Sequence, residues 1–264
     1  MQFCKTISLT FFVSLIFNTS FSQEKTNPET LVTDRPDQTE SPTVVPKGYL
    51  QIETGGFYED TEEKNLNQKT TTFNTTLLRY GLLKNLEIRV GWDFSEVRTE
   101  TNGMKLDNIA SGFSPLLIGT KLSISEEKGI LPEIGFLAHL YLPFIAGTDF
   151  KPETTGADFR FSFAHTLTEK SSLSYNLGAS WGDDSSETSY IYTLSYGYSI
   201  IKNLGIYAEL YGDLPENSKA NHLWDAGITY LLSKSVQLDA TVGSGISKGQ
   251  NLLLSAGVSV RLPN

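Results

Sequence analysis

Three histidines are the side chains of this sequence best suited to acid–base chemistry. They stand at His139, His165 and His222, and no two of them have the spacing of metal ligands. A serine hydrolase needs a hydrogen bond between a serine and a histidine. His165 could form such a pair with a nearby serine, so a lipid hydrolase built on a β-barrel is one alternative. We predict no enzyme, no metal site and no cofactor.

Many other ionisable residues recur at every second position, a spacing that places them on one face of a strand. So many ionisable groups could not be buried unpaired in a dry protein core, but they can line the water-filled interior (lumen) of a β-barrel. They comprise eight carboxylates, four cations and one histidine, which favours small cations and neutral polar solutes. The predicted lumen-lining residues are Glu53, Glu87, Arg89, Asp93, Lys121, Glu133, His139, Asp158, Arg160, Glu209, Asp225, Asp239 and Arg261.

The elements that must position these residues are β-strands, because apolar and polar residues alternate strictly after residue 47. The clearest case runs from Leu86 to Ser95, where every second residue is large and apolar. The pattern predicts about twelve strands of ~9–11 residues, the length that crosses a bilayer at a ~45° tilt. Aromatic residues near the strand ends are typical of the girdles at membrane interfaces.

The connections between these strands alternate between short polar turns and longer segments rich in Gly, Asp, Asn, Thr and Pro. The short turns fall at 84–85, 125–129, 168–171, 202–203 and 233–235. The longer segments fall near 60–70, 97–113, 143–155, 182–189, 212–221 and 245–250. We predict an all-β fold, a single antiparallel transmembrane up-and-down β-barrel of about twelve strands with short periplasmic turns and longer extracellular loops. A soluble β-sandwich would also alternate, but it gives no reason for one-sided short turns.

The N-terminus has the pattern of an export signal. Lys5 precedes an apolar run, Ile7 to Phe17, that is shorter than the ~20 residues needed to span a bilayer. We predict that residues 1–22 are a cleaved signal peptide, whose removal takes away Cys4, the single cysteine. The formal charge of −9, without a basic patch, argues against a nucleic-acid partner.

A ten-residue stretch ahead of the first strand reads Thr-Asp-Arg-Pro-Asp-Gln-Thr-Glu-Ser-Pro. It closely resembles the opening of the bacterial outer-membrane barrels grouped as transporters or meta-pathway of phenol degradation proteins. The resemblance implies an outer-membrane transporter or channel for small solutes, including aromatic or hydrophobic compounds, and leaves the substrate open. The matching residues are Thr33, Asp34, Arg35, Pro36, Asp37, Thr39, Glu40, Ser41 and Pro42.

Two interpretations of residues 23–47 follow from these charges, ahead of a barrel predicted over residues 48–264. In the first, the residues form a periplasmic lead or partial plug whose charges pair with luminal Arg89 or Arg160. In the second, Arg35 and its neighbouring carboxylates make only a local turn, with Pro36 and Pro42 interrupting regular structure.

The last strand and the barrel surface predict the partners. Residues 255–262 resemble the terminal signal read by the outer-membrane barrel-assembly machinery, although the chain ends in Pro263-Asn264 rather than an aromatic residue. We expect outer-membrane lipid and a small-molecule solute as the other partners. A structural barrel with a closed lumen is the alternative, because filled and open lumens share the same alternation.

Overall fold

The computed structural model of the chain describes residues 29–182, 186–247 and 249–262. The predicted signal peptide, residues 1–22, and the terminal Pro263-Asn264 lie outside these residues. Within the described part, the helices are two single 3₁₀ turns, Pro143–Ile145 and Thr148–Phe150. Neither is long and apolar enough to cross a membrane.

Twelve antiparallel strands form the wall of a closed barrel, which confirms the predicted fold class. Each strand pairs with its neighbours in the chain, and the last pairs with the first, with Leu262 opposite Leu50. The strands are β1 Leu50–Glu63, β2 Leu66–Leu83, β3 Leu86–Thr101, β4 Leu116–Ser125, β5 Glu133–Leu142, β6 Gly156–Thr168, β7 Ser171–Trp181, β8 Thr188–Ile201, β9 Leu204–Pro215, β10 Asn221–Ser233, β11 Val236–Gly245 and β12 Gln250–Leu262.

Most strands are longer than the predicted ~9–11 residues and reach 18 residues in β2, whereas β4, β5, β7 and β11 have 10 or 11. The predicted loop at 60–70 is wrong: β1 and β2 continue through it and are joined by the two residues Lys64 and Asn65. Threonine-rich sequence pairs well as strand even where it is polar, so hydrophobic alternation ends before the strand does. The predicted loop at 97–113 is also partly strand, with short pieces at Met104–Lys105 and Ala110–Phe113 that pair with β3.

The barrel is apolar outside and polar inside. Large apolar side chains from around the wall are 40% or more exposed, among them Ile88, Leu140, Leu177, Ile228 and Leu254. A continuous apolar surface of this kind is not tolerated in water by a monomeric protein, but it suits a lipid environment. The interior instead buries charged side chains, including Arg79, Glu87 and Lys121, which are fully inaccessible.

Candidate functional site

The N-terminal segment (residues 29–47) lies inside the barrel. It enters at the short-turn end, where the amide of Leu31 donates to the carbonyl of Lys234 at 2.8 Å. It leaves at the start of β1, where Gly48 donates to the Gly81 carbonyl at 2.7 Å. Between these points it bonds to strands all around the wall, including β3, β7, β9 and β11. A segment that reaches so many strands must cross the lumen.

Three buried cations from adjacent strands hold one side of this segment. We call Arg79, Arg89 and Lys121 the cation cluster. Asp34 of the segment lies 2.9 Å from Arg79, 3.1 Å from Arg89 and 2.7 Å from Lys121. Glu40 lies 2.9 Å from Arg89 and 3.0 Å from Lys121. The segment therefore supplies two of the carboxylates that neutralise the cation cluster.

The wall supplies the other two carboxylates. Arg79 lies 2.8 Å from Glu53 and 2.8 Å from Glu87. Burial alone raises the pKa of Glu40, but the guanidinium of Arg89 and the ammonium of Lys121 outweigh it and hold that pKa well below its usual range. Such a group of ions is stable only while every member keeps its partners.

A second ion pair fixes the middle of the segment to β11. The Arg35 guanidinium lies 2.9 Å from Asp239 and donates to Ser255 at 3.0 Å. It also sits over Gly55 and Gly257, which face each other on β1 and β12 and where any Cβ would collide with it. Glycine in these strands therefore makes room for Arg35. The local-turn interpretation of Arg35 is wrong, because its carboxylate partner comes from the wall.

Carboxyl groups that have no ion pair within the described part of the chain line the other side of the segment. Glu209 accepts from the amide of Gln38 at 2.7 Å and from the hydroxyl of Thr39. Asp225 stands directly opposite Glu209 on β10, and its carboxyl oxygens have no hydrogen-bond partner within the described residues. Burial raises the pKa of Asp37 well above its usual value, and the neighbouring Glu209 raises it further.

Other residues of the predicted motif also contact the strands of the barrel wall. Gln237 donates to Thr33 at 2.9 Å, and Pro42 is buried against Gly135 on β5. The amide of Ser41 donates to Asp34 at 3.0 Å, which folds the segment back on itself. Pro36 lines a cavity that opens at the short-turn end.

The predicted lumen residues differ in whether, and through which atoms, they bond to the N-terminal segment. Glu133 accepts from Thr43 at 3.2 Å, and Arg261 donates to the carbonyl of Glu29. Arg160 donates to the carbonyl of Gln38 at 3.1 Å rather than pairing with a carboxylate of the segment. Asp93 lines a cavity and has no hydrogen bond or ion pair to the segment among the described residues. Those with direct ion pairs or bonds to the segment are Glu53, Glu87, Arg89, Lys121, Glu133, Arg160, Glu209, Asp239 and Arg261.

His139, Asp158 and Tyr141 form a separate polar group on β5 and β6. The Nδ1 of His139 lies 3.0 Å from one oxygen of Asp158, and the Tyr141 hydroxyl donates to the other at 2.6 Å. The remaining two histidines are elsewhere: His165 stacks on Tyr175 with centroids 6.0 Å apart, and His222 bonds to the Tyr192 hydroxyl at 2.7 Å.

Sequence reasoning missed several luminal residues because it weighed ionisable groups only. Asn176 receives the amide of Glu40 at 2.7 Å, and Thr193 bonds to Thr39 at 2.7 Å. Gln51 donates to the Val32 carbonyl at 2.8 Å. The signal was present, because these uncharged polar residues follow the same alternation. Arg79 is not among the predicted lumen residues, yet it is fully buried there and pairs with three carboxylates, as Arg89 does.

Two serines lie within Gly-x-Ser-x-Gly sequences, the pattern of a nucleophile elbow. Ser180 lies inside β7, and Ser247 follows the end of β11, so neither occupies a turn from a strand into a helix. Ser247 accepts from the backbone amide of His222, whose ring instead bonds to Tyr192. Neither arrangement is that of a serine hydrolase.

Four cavities follow one another along the barrel axis. The loop-end cavity, of about 1150 Å³, shares Glu59 and Gln250 with an upper cavity of about 320 Å³. The upper cavity shares Phe57 with a central cavity of about 330 Å³. The central cavity shares Arg35 with the short-turn cavity, of about 530 Å³. Arg35 therefore stands between the spaces reached from the two ends.

A closed antiparallel barrel with an apolar exterior and a polar lumen is the architecture of outer-membrane barrels. The chain belongs to the family described as "Putative MetA-pathway of phenol degradation", whose model matches residues 33–262. The match begins at the first residue of the Thr-Asp-Arg-Pro motif, so the family pattern includes the segment inside the barrel as well as the wall.

Solved structures share the fold at low identity. An outer membrane channel from Pseudomonas putida F1 has a TM-score of 0.64 and 13% identity, over 83% of this chain and 97% of that one. The KdgM porin has a TM-score of 0.52 and 10% identity, over 78% and 98%. The translocator domain of NalP from Neisseria meningitidis has a TM-score of 0.53 and 10% identity, over 83% and 90%. None of the functionally curated proteins matches the sequence.

Proposed function

We propose that this protein is an outer-membrane channel for small solutes and that its N-terminal segment is a plug. One observation carries the proposal: Arg35 of the segment lines both the central cavity and the short-turn cavity, so it lies between these two spaces. A barrel with a purely structural role has no need for a run of cavities. The plug is held by ion pairs and hydrogen bonds, and its one β-bridge to the wall, between Lys47 and Gly81, lies where the segment joins β1, so the plug can leave without opening the wall.

The apolar outer surface and the two ends of the chain support a location in the outer membrane. The exposed apolar residues would contact outer-membrane lipid, since they surround the wall at strand level. Residues 1–22 would direct export and be removed. Strand β12, which closes the barrel against β1, would be the strand read by the barrel-assembly machinery.

We expect single-ring compounds to be among the solutes, because the central cavity is small. Its volume of about 330 Å³ is at the lower limit of ordinary ligand pockets. The family description names phenol degradation, and the similar structure from Pseudomonas putida F1 is an outer membrane channel. The similar structures described above are a channel, a porin and a translocator domain rather than enzymes, which supports passage rather than hydrolysis.

Solute flux into liposomes that contain the refolded protein tests this proposal. Folding is checked by heat-modifiable gel mobility, so that an unfolded sample is not scored as a closed one. We expect flux of small uncharged solutes above that of protein-free liposomes. A folded barrel without flux would support the structural alternative with a closed lumen.

Replacing Arg35 should loosen the plug. Arg35→Gln removes the ion pair with Asp239 and empties the space over Gly55 and Gly257. We expect solute flux to rise several-fold, because the side chain that separates the two cavities is shortened. Arg98→Gln is the matched control, since Arg98 pairs with Glu96 on the exposed part of β3. Equal flux in the two variants would show that Arg35 is not the constriction.

A further inference from the structure

Every short turn of the barrel carries one lysine. The connections after β2, β4, β6, β8 and β10 are two to seven residues long, and each holds a single lysine. A sixth lysine stands three residues before β1, where the N-terminal segment leaves the lumen. Because successive turns are two strands apart, these lysines follow one another at roughly 12 Å around the wall. We call them the lysine ring: Lys47, Lys84, Lys128, Lys170, Lys202 and Lys234.

The described chain does not neutralise the lysine ring. All six lysines are exposed. Among the described residues, the ion pairs that involve a lysine are confined to Lys69 and Lys121. The five short turns contain three glutamates, one of which, Glu127, accepts the backbone amide of Thr166 at 2.8 Å. The short turns and Lys47 together are therefore net positive.

The rest of the chain does not explain this pattern. Tight turns favour Gly, Asn and Asp for their backbone geometry and have no need of lysine. The longer connections at the other end of the barrel hold seven carboxylates and five lysines, so they are net negative. The excess of positive charge is thus specific to the end with the short turns.

Large apolar side chains adjoin the lysine ring. Leu83 and Ile201 come directly before a lysine of the ring and are 49% and 57% exposed. Ile130 comes two residues after another and is 92% exposed. A lysine beside apolar surface suits the edge of a membrane, because its aliphatic part lies along that surface while the ammonium group reaches the headgroups.

We propose that the lysine ring binds anionic phospholipids in the leaflet at the short-turn end, which is the periplasmic leaflet for an outer-membrane barrel. The headgroup phosphate pairs with an ammonium group of the ring, and the acyl chains lie along the apolar outer surface. Lipid is favoured over an acidic protein as the occupant, because exposed apolar residues adjoin the lysines and continue the lipid-facing surface. The inference uses only the membrane location of the barrel and does not depend on whether the barrel conducts.

Spin-labelled lipids measure this preference directly. The full-length refolded protein is placed in phosphatidylcholine bilayers with a trace of spin-labelled phosphatidylglycerol or phosphatidylcholine. The fraction of label immobilised at the protein surface gives the relative association constant of each lipid. We expect phosphatidylglycerol to associate several-fold more strongly, since basic residues at a membrane surface attract anionic lipid. The preference should shrink at high salt, because salt screens exposed charges.

Replacing the lysines of the ring tests their role. The variant in which all six are changed to glutamine should hold the two lipids about equally, with folding checked by heat-modifiable gel mobility. The matched control changes four exposed lysines at the opposite end to glutamine and should keep the preference: Lys64, Lys105, Lys151 and Lys219. A natural chain without a preference for phosphatidylglycerol, or a preference that survives in the six-lysine variant, would overturn the proposal.

Discussion

Deleting residues 24–46 should raise single-channel conductance on the order of tenfold, since a twelve-strand wall is roughly 24 Å across between backbones. The deletion removes every contact that the segment makes across the lumen, including those of Asp34, Arg35 and Glu40. The wall keeps its own strand pairing, because β1 and β12 are joined along 12 residue pairs that do not involve the segment. Planar-bilayer recording measures the change directly.

The deletion should also alter ion selectivity. Without Asp34 and Glu40, the cation cluster keeps only Glu53 and Glu87 as partners, so this level of the lumen becomes net positive. Reversal potentials in a salt gradient should therefore move toward anion preference relative to the natural chain. Unchanged conductance and selectivity in a correctly folded barrel would contradict the plug.

Arg79→Met should destabilise the barrel by about 3–5 kcal/mol. Arg79 is fully buried and lies within 2.9 Å of carboxylates of Asp34, Glu53 and Glu87. Its removal leaves these groups close together, with only Arg89 and Lys121 to balance them. Urea unfolding in lipid vesicles, followed by gel mobility, gives the free energy of unfolding.

Lys69→Met is the matched control for that loss. Lys69 makes a single 3.6 Å ion pair with Glu100 on the outer part of β2 and β3, and its side chain is 39% exposed. Exposed ion pairs contribute about 0–1 kcal/mol, so this variant should unfold close to the natural chain. A small loss of stability for Arg79→Met would show that the cation cluster does not depend on Arg79.

The wall could be predicted from the sequence because strand alternation is a local property. Glu87, Arg89 and Lys121 could be placed on the luminal face because side chains alternate between the two faces of a strand, whichever strands pair with it. The strand ends were harder to predict, because the threonines of β2 continue to pair with β1 beyond the point where hydrophobic alternation ends.

The path of the N-terminal segment could not be predicted, because it has no periodicity. Its course depends on the wall that surrounds it, and residues more than 200 positions apart meet at Arg35 and Asp239. The contact of Arg35 with Gly55 and Gly257 could not be predicted either, because a glycine within a strand allows a close approach without specifying which side chain makes it. The sequence offered Arg89 and Arg160 as partners for the charges of the motif. Arg89 does pair with Asp34 and Glu40, whereas the pairing of Arg35 with Asp239 was not anticipated.

A reversible tether between plug and wall tests the central claim most directly. The hydroxyls of Thr39 and Thr193 are 2.7 Å apart, which suits a disulfide after Thr39→Cys and Thr193→Cys. The single natural cysteine, Cys4, lies in the predicted signal peptide, so no other thiol should interfere. If the plug must move for solute to pass, flux should fall to the level of protein-free liposomes on oxidation and recover on reduction. Equal flux in the oxidised and reduced protein would contradict a channel gated by its N-terminal segment.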